Sequence, residues 1–228
     1  MNFSSFKKLL IWCILLGMIS GVTWVAFHYD RPTRNYVISV QGKKFKKTPL
    51  YKNLGLISKY GDWPQIMIFG ACLLGLAWWK KRRDWMQVIM AAMVASTLAG
   101  LIVVSLRSTT GRPRPRDEAK LGTTWYGPRH GDQWLIGKSS YNSFPSGHSA
   151  TAFGFAVVFL FARPWAGLIL LIPAFSIILS RVGLGAHHLS DVTVGAIIAS
   201  LVAWFTWKWF KQYGEARIPF LKNDKNEN

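Results

Sequence analysis

Acidic residues are scarce in this chain of 228 residues: ten Asp and Glu face 28 Lys and Arg, for a formal charge of +18. Cysteine is scarcer. The two present, Cys13 and Cys72, sit inside apolar stretches, where a lone cysteine behaves as a small hydrophobe. Two are also too few for a disulfide framework. Internal repeats and low-complexity tracts are lacking, so a single domain over residues 1–228 is the simplest count. Half of the residues are apolar and 14% are aromatic, which excludes a disordered basic tail. A small nucleic-acid-binding domain would scatter its cations along the chain, so no nucleic-acid partner is expected.

Here the charges are segregated. None occurs in the 19 residues of 9–27 or the 22 residues of 85–106, and roughly 20 apolar helical residues cross a bilayer core. Four more apolar segments, at 63–79, 149–162, 165–180 and 192–207, make a set of six. The last three become long enough only when extended into polar neighbours, giving spans near 9–27, 63–79, 85–106, 145–162, 165–184 and 191–210. The expected fold is all-α, a polytopic membrane bundle of six transmembrane helices. The extensions draw His148, Arg181 and Asp191 to helix ends at the membrane interface, where ionisable residues are functional candidates. Pro173 inside the fifth span is tolerable because neighbouring helices can re-satisfy the freed carbonyl. Trp63, Trp79, Trp85, Trp165, Trp207 and Trp209 at span ends suit an interfacial aromatic belt. Lys7 and Lys8 precede an apolar run that is long for a signal peptide and lacks a clean cleavage site, so a retained helix is expected.

The basic run Lys80–Arg83, with Arg163, Lys7, Lys8 and five basic residues from Lys208 onward, reads as cytoplasmic. The longer segments 28–62 and 107–144 carry eight and seven Lys/Arg, but long loops weigh less in that rule. Both termini are therefore expected inside, which places the first, third and fifth loops together outside.

Those loops hold the chemistry. The third begins Arg107-Ser-Thr-Thr-Gly-Arg-Pro-Arg114-Pro115 and ends Pro145-Ser146-Gly147-His148; the fifth runs from Ser180-Arg181 to His187 and Asp191. Arginine is a permanently charged fork matched to phosphate oxygens, and Arg107, Arg114 and Arg181 around one point would repel unless an anion sat between them. Pro-Ser-Gly-His before an apolar run reads as a helix start, whose free N–H groups cradle an anion; Gly147 allows close approach. His187 and Asp191, four apart, share a face if a helix begins near His187. An aspartate on one ring nitrogen fixes the tautomer and frees the other as nucleophile or base. His148, on another helix, is then available as general acid.

Each piece has a plainer explanation. Arg112, Arg114 and Arg116 could be a solvated stretch drawn to anionic lipid headgroups. His187–Asp191 could be a structural hydrogen bond, and Pro-Ser-Gly-His alone is a weak helix-start signal. Asp117 and Glu118 are adjacent and point apart, which argues against a metal pair. His28 and His188 read as incidental. The conjunction on one side of the membrane favours the site.

At these residues the sequence resembles the type-2 phosphatidic acid phosphatase superfamily, also called the lipid phosphate phosphatase and haloperoxidase superfamily. Its three motifs are K-x6-R-P, P-S-G-H and S-R-x5-H-x3-D. The second matches at Pro145–His148 and the third at Ser180, Arg181, His187 and Asp191; the first matches as Arg107-x6-Arg114-Pro115, with arginine in place of lysine. The resemblance implies that His187 attacks phosphorus to form a phosphohistidine, that Asp191 holds its tautomer, and that His148 protonates the leaving oxygen and later activates water. It further implies that Arg107, Arg114, Arg181, Ser146 and the Gly147 amide hold the phosphoryl oxygens. No metal and no cofactor are expected.

The expected function is then a lipid phosphatase of a bacterial inner membrane, its site facing the periplasm. Bacterial members act on undecaprenyl pyrophosphate, phosphatidylglycerol phosphate, phosphatidic acid or the lipid A 1-phosphate. The expected partners are a lipid phosphate substrate and anionic membrane lipids, with no obligatory protein partner. An alternative is a phosphotransferase that passes the phosphoryl group to a lipid hydroxyl. A vanadate-dependent oxidase is disfavoured by the six apolar spans, and a non-enzymatic scaffold gives no reason for His148, His187 and Asp191 to occur together.

Overall fold

A computed structural model describes residues 3–42, 44–218 and 221. Its helices are α1 (Phe3–His28), α2 (Asp30–Val40), α3 (Pro49–Lys59), α4 (Trp63–Trp79), α5 (Arg83–Thr110), the short α6 (Glu118–Leu121), α7 (Gly147–Ala162), α8 (Pro164–Gly183) and α9 (Leu189–Arg217). A two-stranded hairpin, β1 (Arg129–His130) with β2 (Gln133–Trp134), projects from the segment between α6 and α7. The side chains of Lys7, Lys8, Arg217, Lys222 and Lys225, part of the expected cytoplasmic charge, lie outside the described residues.

Among the described residues, four helices are long and apolar enough to cross a membrane, over Leu10–His28, Arg83–Thr110, Pro164–Gly183 and Leu189–Gly214. The shorter apolar α4 and α7 have 17 and 16 residues, about 24–26 Å at 1.5 Å per residue. All six coincide with the expected apolar segments to within a few residues, save α1, which starts six residues earlier, and α9, which runs further at its C-terminus.

Many small residues face inward, beside Phe153, Phe155 and Phe159, while many large ones face outward. Ala91, Ala92, Ala95 and Ala99 of α5, Ala150 of α7 and Ala199 and Ala203 of α9 are fully buried, whereas Leu101, Ile169, Ile172, Leu179 and Phe205 are at least 60% exposed. In water each such side chain would forgo about 1.5–3 kcal/mol of burial; in lipid, association rests instead on close packing of small residues. The α5–α7–α9 trio forms the centre, with α8 on α7, α4 on α5 and α1 on α9. Gly195 of α9 shows how tight this is: a Cβ there would sit 2.6 Å from the Ser146 carbonyl at the start of α7.

The segment 28–62 is not the plain loop the sequence suggests. It folds as α2 and α3, the latter capped by Thr48, whose hydroxyl accepts from the Tyr51 N–H, with Pro49 at the first helical position.

The C-terminal ends of α5 and α8 and the N-terminal ends of α4, α7 and α9 meet at one end of the bundle. Asp84 and Arg163 pair at 3.1 Å near the other, beside Lys80–Arg83.

Candidate active site

Arg107 lies in the last turn of α5, which Gly111 ends in the left-handed conformation (φ +59°). A side chain at Gly111 would strike the Gly127 carbonyl at 2.0 Å, so only glycine fits this turn. Ser146 caps α7, its hydroxyl oxygen accepting from the Ser149 N–H (3.4 Å) and the Ser149 hydroxyl (3.0 Å). Gly147 and His148 open that helix. The Arg107 guanidinium lies over it, with Nη1 3.5 Å from where a Gly147 Cβ would stand. The Ser146 N–H donates to the Asp191 carbonyl (3.0 Å), tying α7 to α9.

The three expected arginines lie within electrostatic reach of one another. Arg181 donates to the Ser58 hydroxyl through Nη1 (2.6 Å), while its Nε and that of Arg114 are buried with no hydrogen-bond partner among the described residues. Burial, then Arg116 and Arg107, push Arg114 down to about 10. Asp62 offsets part of the charge on Arg181, and Asp117 and Asp191 part of that on Arg114; guanidinium N–H groups left without a partner in this way can bond an external anion.

His187 is 1% exposed. It lies in the turn before α9, not on the helix, because α9 begins at Leu189. The shared helical face expected of His187 and Asp191 is therefore absent, and Nδ1 is 3.7 Å from Asp191 Oδ2, beyond a hydrogen bond. Nδ1 instead lies 2.7 Å from the Ser143 carbonyl. A carbonyl only accepts, so Nδ1 carries the proton and Nε2 the lone pair. Nε2 is buried without a hydrogen-bond partner among the described residues. Burial, opposed by Asp191 and reinforced by Arg181 and Arg114, lowers His187 to about 4. It is a neutral imidazole at pH 7 whose Nε2 lone pair has no hydrogen-bond partner among the described residues.

Asp191 accepts from Arg112 Nη1 (2.5 Å), the His188 N–H (2.7 Å) and the Ser143 hydroxyl. Ser143 thus connects the pair, its hydroxyl on Asp191 and its carbonyl on His187. Arg112 is not the solvated residue the sequence permits. It is buried, bridging Asp191 and Asp30 among the rings of Phe27, Trp125 and Phe144. His188, read as incidental, is buried with Nε2 3.1 Å from Glu118.

His148, at the start of α7, lies within electrostatic reach of Arg181, His187, Arg107 and Arg114. Its Nε2 is 2.7 Å from Asp62 Oδ1. Asp62 precedes α4 and is half-exposed; burial raises its pKa against the pull of Arg181 and Lys59. Sequence reasoning missed Asp30, Asp62, Arg112 and Ser143. The available signal was the scarcity of acid, since Asp30, Asp62, Glu118 and Asp191 all attend this end of the bundle. Among the described residues no three His, Cys, Asp or Glu side chains are grouped to hold a metal ion.

A cavity of about 420 Å³ opens between α4, α5 and α7, with His148, Gly147, Arg107 and Asp62 at its polar part and Trp63, Leu101 and Val104 along its apolar wall. A larger apolar cavity, about 550 Å³ between α4, α7 and α8, is lined by none of the expected site residues.

The fold and site together are those of a helical membrane-type bundle with a buried imidazole beside a cluster of arginines at one end. The chain belongs to the PAP2 superfamily, whose model matches residues 88–215. It is 29% identical to the lipid A 1-phosphatase of Rhizobium johnstonii, over 68% of this chain and 65% of that protein. It is 27% identical to the probable diacylglycerol pyrophosphate phosphatase 1 of Schizosaccharomyces pombe, over 69% and 63%. Lipid phosphate phosphatase 1 of Arabidopsis thaliana is 30% identical over 54% and 44%. The matches thus span less than two thirds of the length of these relatives. No solved structure matches the chain significantly.

Proposed function

We propose that this protein is an integral-membrane lipid phosphatase that hydrolyses a phosphate or pyrophosphate monoester of a lipid through a phosphohistidine on His187. The observation that carries this is the free, buried Nε2 of a neutral His187 within reach of Arg114 and Arg181. Relatives named as phosphatases of lipid A and of diacylglycerol pyrophosphate support the substrate class. The phosphate sits against Arg107, Arg114, Arg181 and the α7 N-terminus, Ser146 and Gly147 included. The lipid chain lies along the cavity between α4 and α5.

Nε2 attacks phosphorus, the bond to the leaving oxygen breaks, and His148 gives that oxygen its proton. Water then attacks the phosphohistidine and returns a proton to His148, so the cycle closes without an external acid. Phosphoryl transfer depends mainly on positioning and charge neutralisation, which fixed arginines supply here in place of a metal. All six apolar helices cross the inner membrane of a bacterium, as one domain with both termini inside. Supporting this orientation, Lys80–Arg83 and Arg163 lie at the end of the bundle remote from the site.

The test is phosphate release from a panel of lipid phosphates and pyrophosphates by the purified protein in detergent. Release from at least one lipid, without a second lipid as acceptor, and its loss in His187→Ala are expected. No release from any member, or an unchanged rate in His187→Ala, overturns the proposal.

A further inference from the structure

Helix α2 lies outside the segment that matches the family, yet it is bonded to the back of the site. Asp30, Arg34 and Gln41, at i, i+4 and i+11, fall on one helical face. Gln41 donates to the Gly183 carbonyl (2.6 Å), and Arg34 pairs with Glu118 at 2.5 Å. Asp30 Oδ2 accepts from Arg112 Nη2 (2.7 Å) and the Ser190 hydroxyl (2.6 Å), and Oδ1 from the Ser190 N–H (2.8 Å). Asp30 thereby satisfies an otherwise unpaired amide in the first turn of α9. Arg112 passes the restraint on through Nη1 to Asp191. The seam between α2 and the His187 turn leaves a cavity of only about 10 Å³, scarcely room for a water, so these groups are locked on one another.

We infer that Asp30 and Arg112 are positioning residues for the nucleophile: Asp30 holds Arg112, Arg112 holds Asp191, and Asp191 and Ser143 together fix the ring of His187. The kinetic part of this inference rests on the phosphatase proposal; the geometric part does not. A buried ion-pair chain can also serve stability alone, and the His187 titration taken with the split between kcat and KM separates the two. The charged groups around His187 are Asp191 on α9, Arg181 on α8, Arg114 on the loop and His148 on α7, with Asp30 behind Arg112 and Glu118 behind His188. Asp30→Asn removes a negative charge and leaves Arg112 to draw on Asp191 alone, so His187 becomes harder to protonate. Arg112→Gln removes the positive charge between two carboxylates, so His187 becomes easier to protonate. Opposite shifts show that both charges reach His187, and a fall in kcat with KM unchanged separates positioning from stability alone.

The experiment follows the ¹⁵N imidazole signals of His187 through a pH titration in detergent micelles, for the parent protein, Asp30→Asn and Arg112→Gln. The titration midpoint is expected to move down in the first and up in the second. Shifts of the same sign, or none, in the variants that fold overturn the inference. If Arg112→Gln does not fold, the Asp30→Asn shift alone decides it; if neither folds, a stability role is indicated and the inference falls. In parallel, kcat for phosphate release should fall about 10–100-fold in Asp30→Asn with KM little changed, as for carboxylates behind metal-bound histidines. If the parent releases no phosphate from any lipid, the proposed function fails while the titration still decides the positioning role.

Discussion

His148→Ala separates the roles of the two histidines. In the structure His148 stands at the α7 N-terminus facing the cavity, its Nε2 2.7 Å from Asp62, and it takes no part in the His187–Ser143–Asp191 hydrogen bonds. Removing it leaves His187 and the arginines in place and takes away the proposed proton donor. The loss should therefore scale with how much the leaving oxygen needs a proton. General acid assistance is typically about 10²–10⁴-fold, or about 2.7–5.4 kcal/mol at 1.36 kcal/mol per decade. A lipid alcohol leaving from a monophosphate should show that full range; a nitrophenyl leaving group should show a small fraction of it in the first step. The assay is single-turnover release of the leaving group from both esters by parent, His148→Ala and Asp62→Asn, in one detergent. Asp62→Asn should follow the same ordering with a smaller effect, since it removes the carboxylate beside the acid. Equal losses on the two esters in His148→Ala would refute the assignment of His148 as acid.

Arg181→Ala should lower the rate about 10²–10³-fold, as removal of an oxyanion donor does; Arg181→Lys should recover only part, because lysine offers a point charge where arginine offers a fork. Wild-type rates from both variants would count against phosphate binding at Arg181. His187 is held at about 4, below its ordinary value of about 6.5, so the neutral nucleophile persists at pH 5–6 and is lost as pH falls through 4. An acidic limb of kcat/KM near 6.5 that is common to substrates of different phosphate pKa would contradict this. Gly195→Ala drives a methyl toward the Ser146 carbonyl 2.6 Å away and should destabilise the protein by about 1–3 kcal/mol; an unchanged Tm in detergent would show that α7 and α9 are looser than described.

The apolar segments were legible because each is long, uncharged and bounded by charge or proline, and the motif residues because their types and spacing are unusual together. The first loop was not. Its helices are amphipathic and short, and their stability comes from partners far along the chain, as Asp30 and Arg112 show at a separation of 82 residues. The Thr48-Pro49 cap was the one local sign of α3. Arg112 looked solvent-facing because nothing in the order of residues places Asp30 and three aromatic rings around it. The spacing of His187 and Asp191 was read as a helical face, but the helix starts two residues after His187, and the Ser143 carbonyl takes the contact that a helix would have given to Asp191.

The central claim is covalent: His187 carries the phosphoryl group. The direct measurement is a rapid quench in alkali of the protein with a ³²P-labelled lipid phosphate, followed by mapping of the label. Acid-labile, alkali-stable phosphate on His187, absent in His187→Ala and accumulating in His148→Ala, is the expected result. Label on His148, label retained in His187→Ala, or full turnover with no trapped phosphate in the parent or in His148→Ala would contradict it.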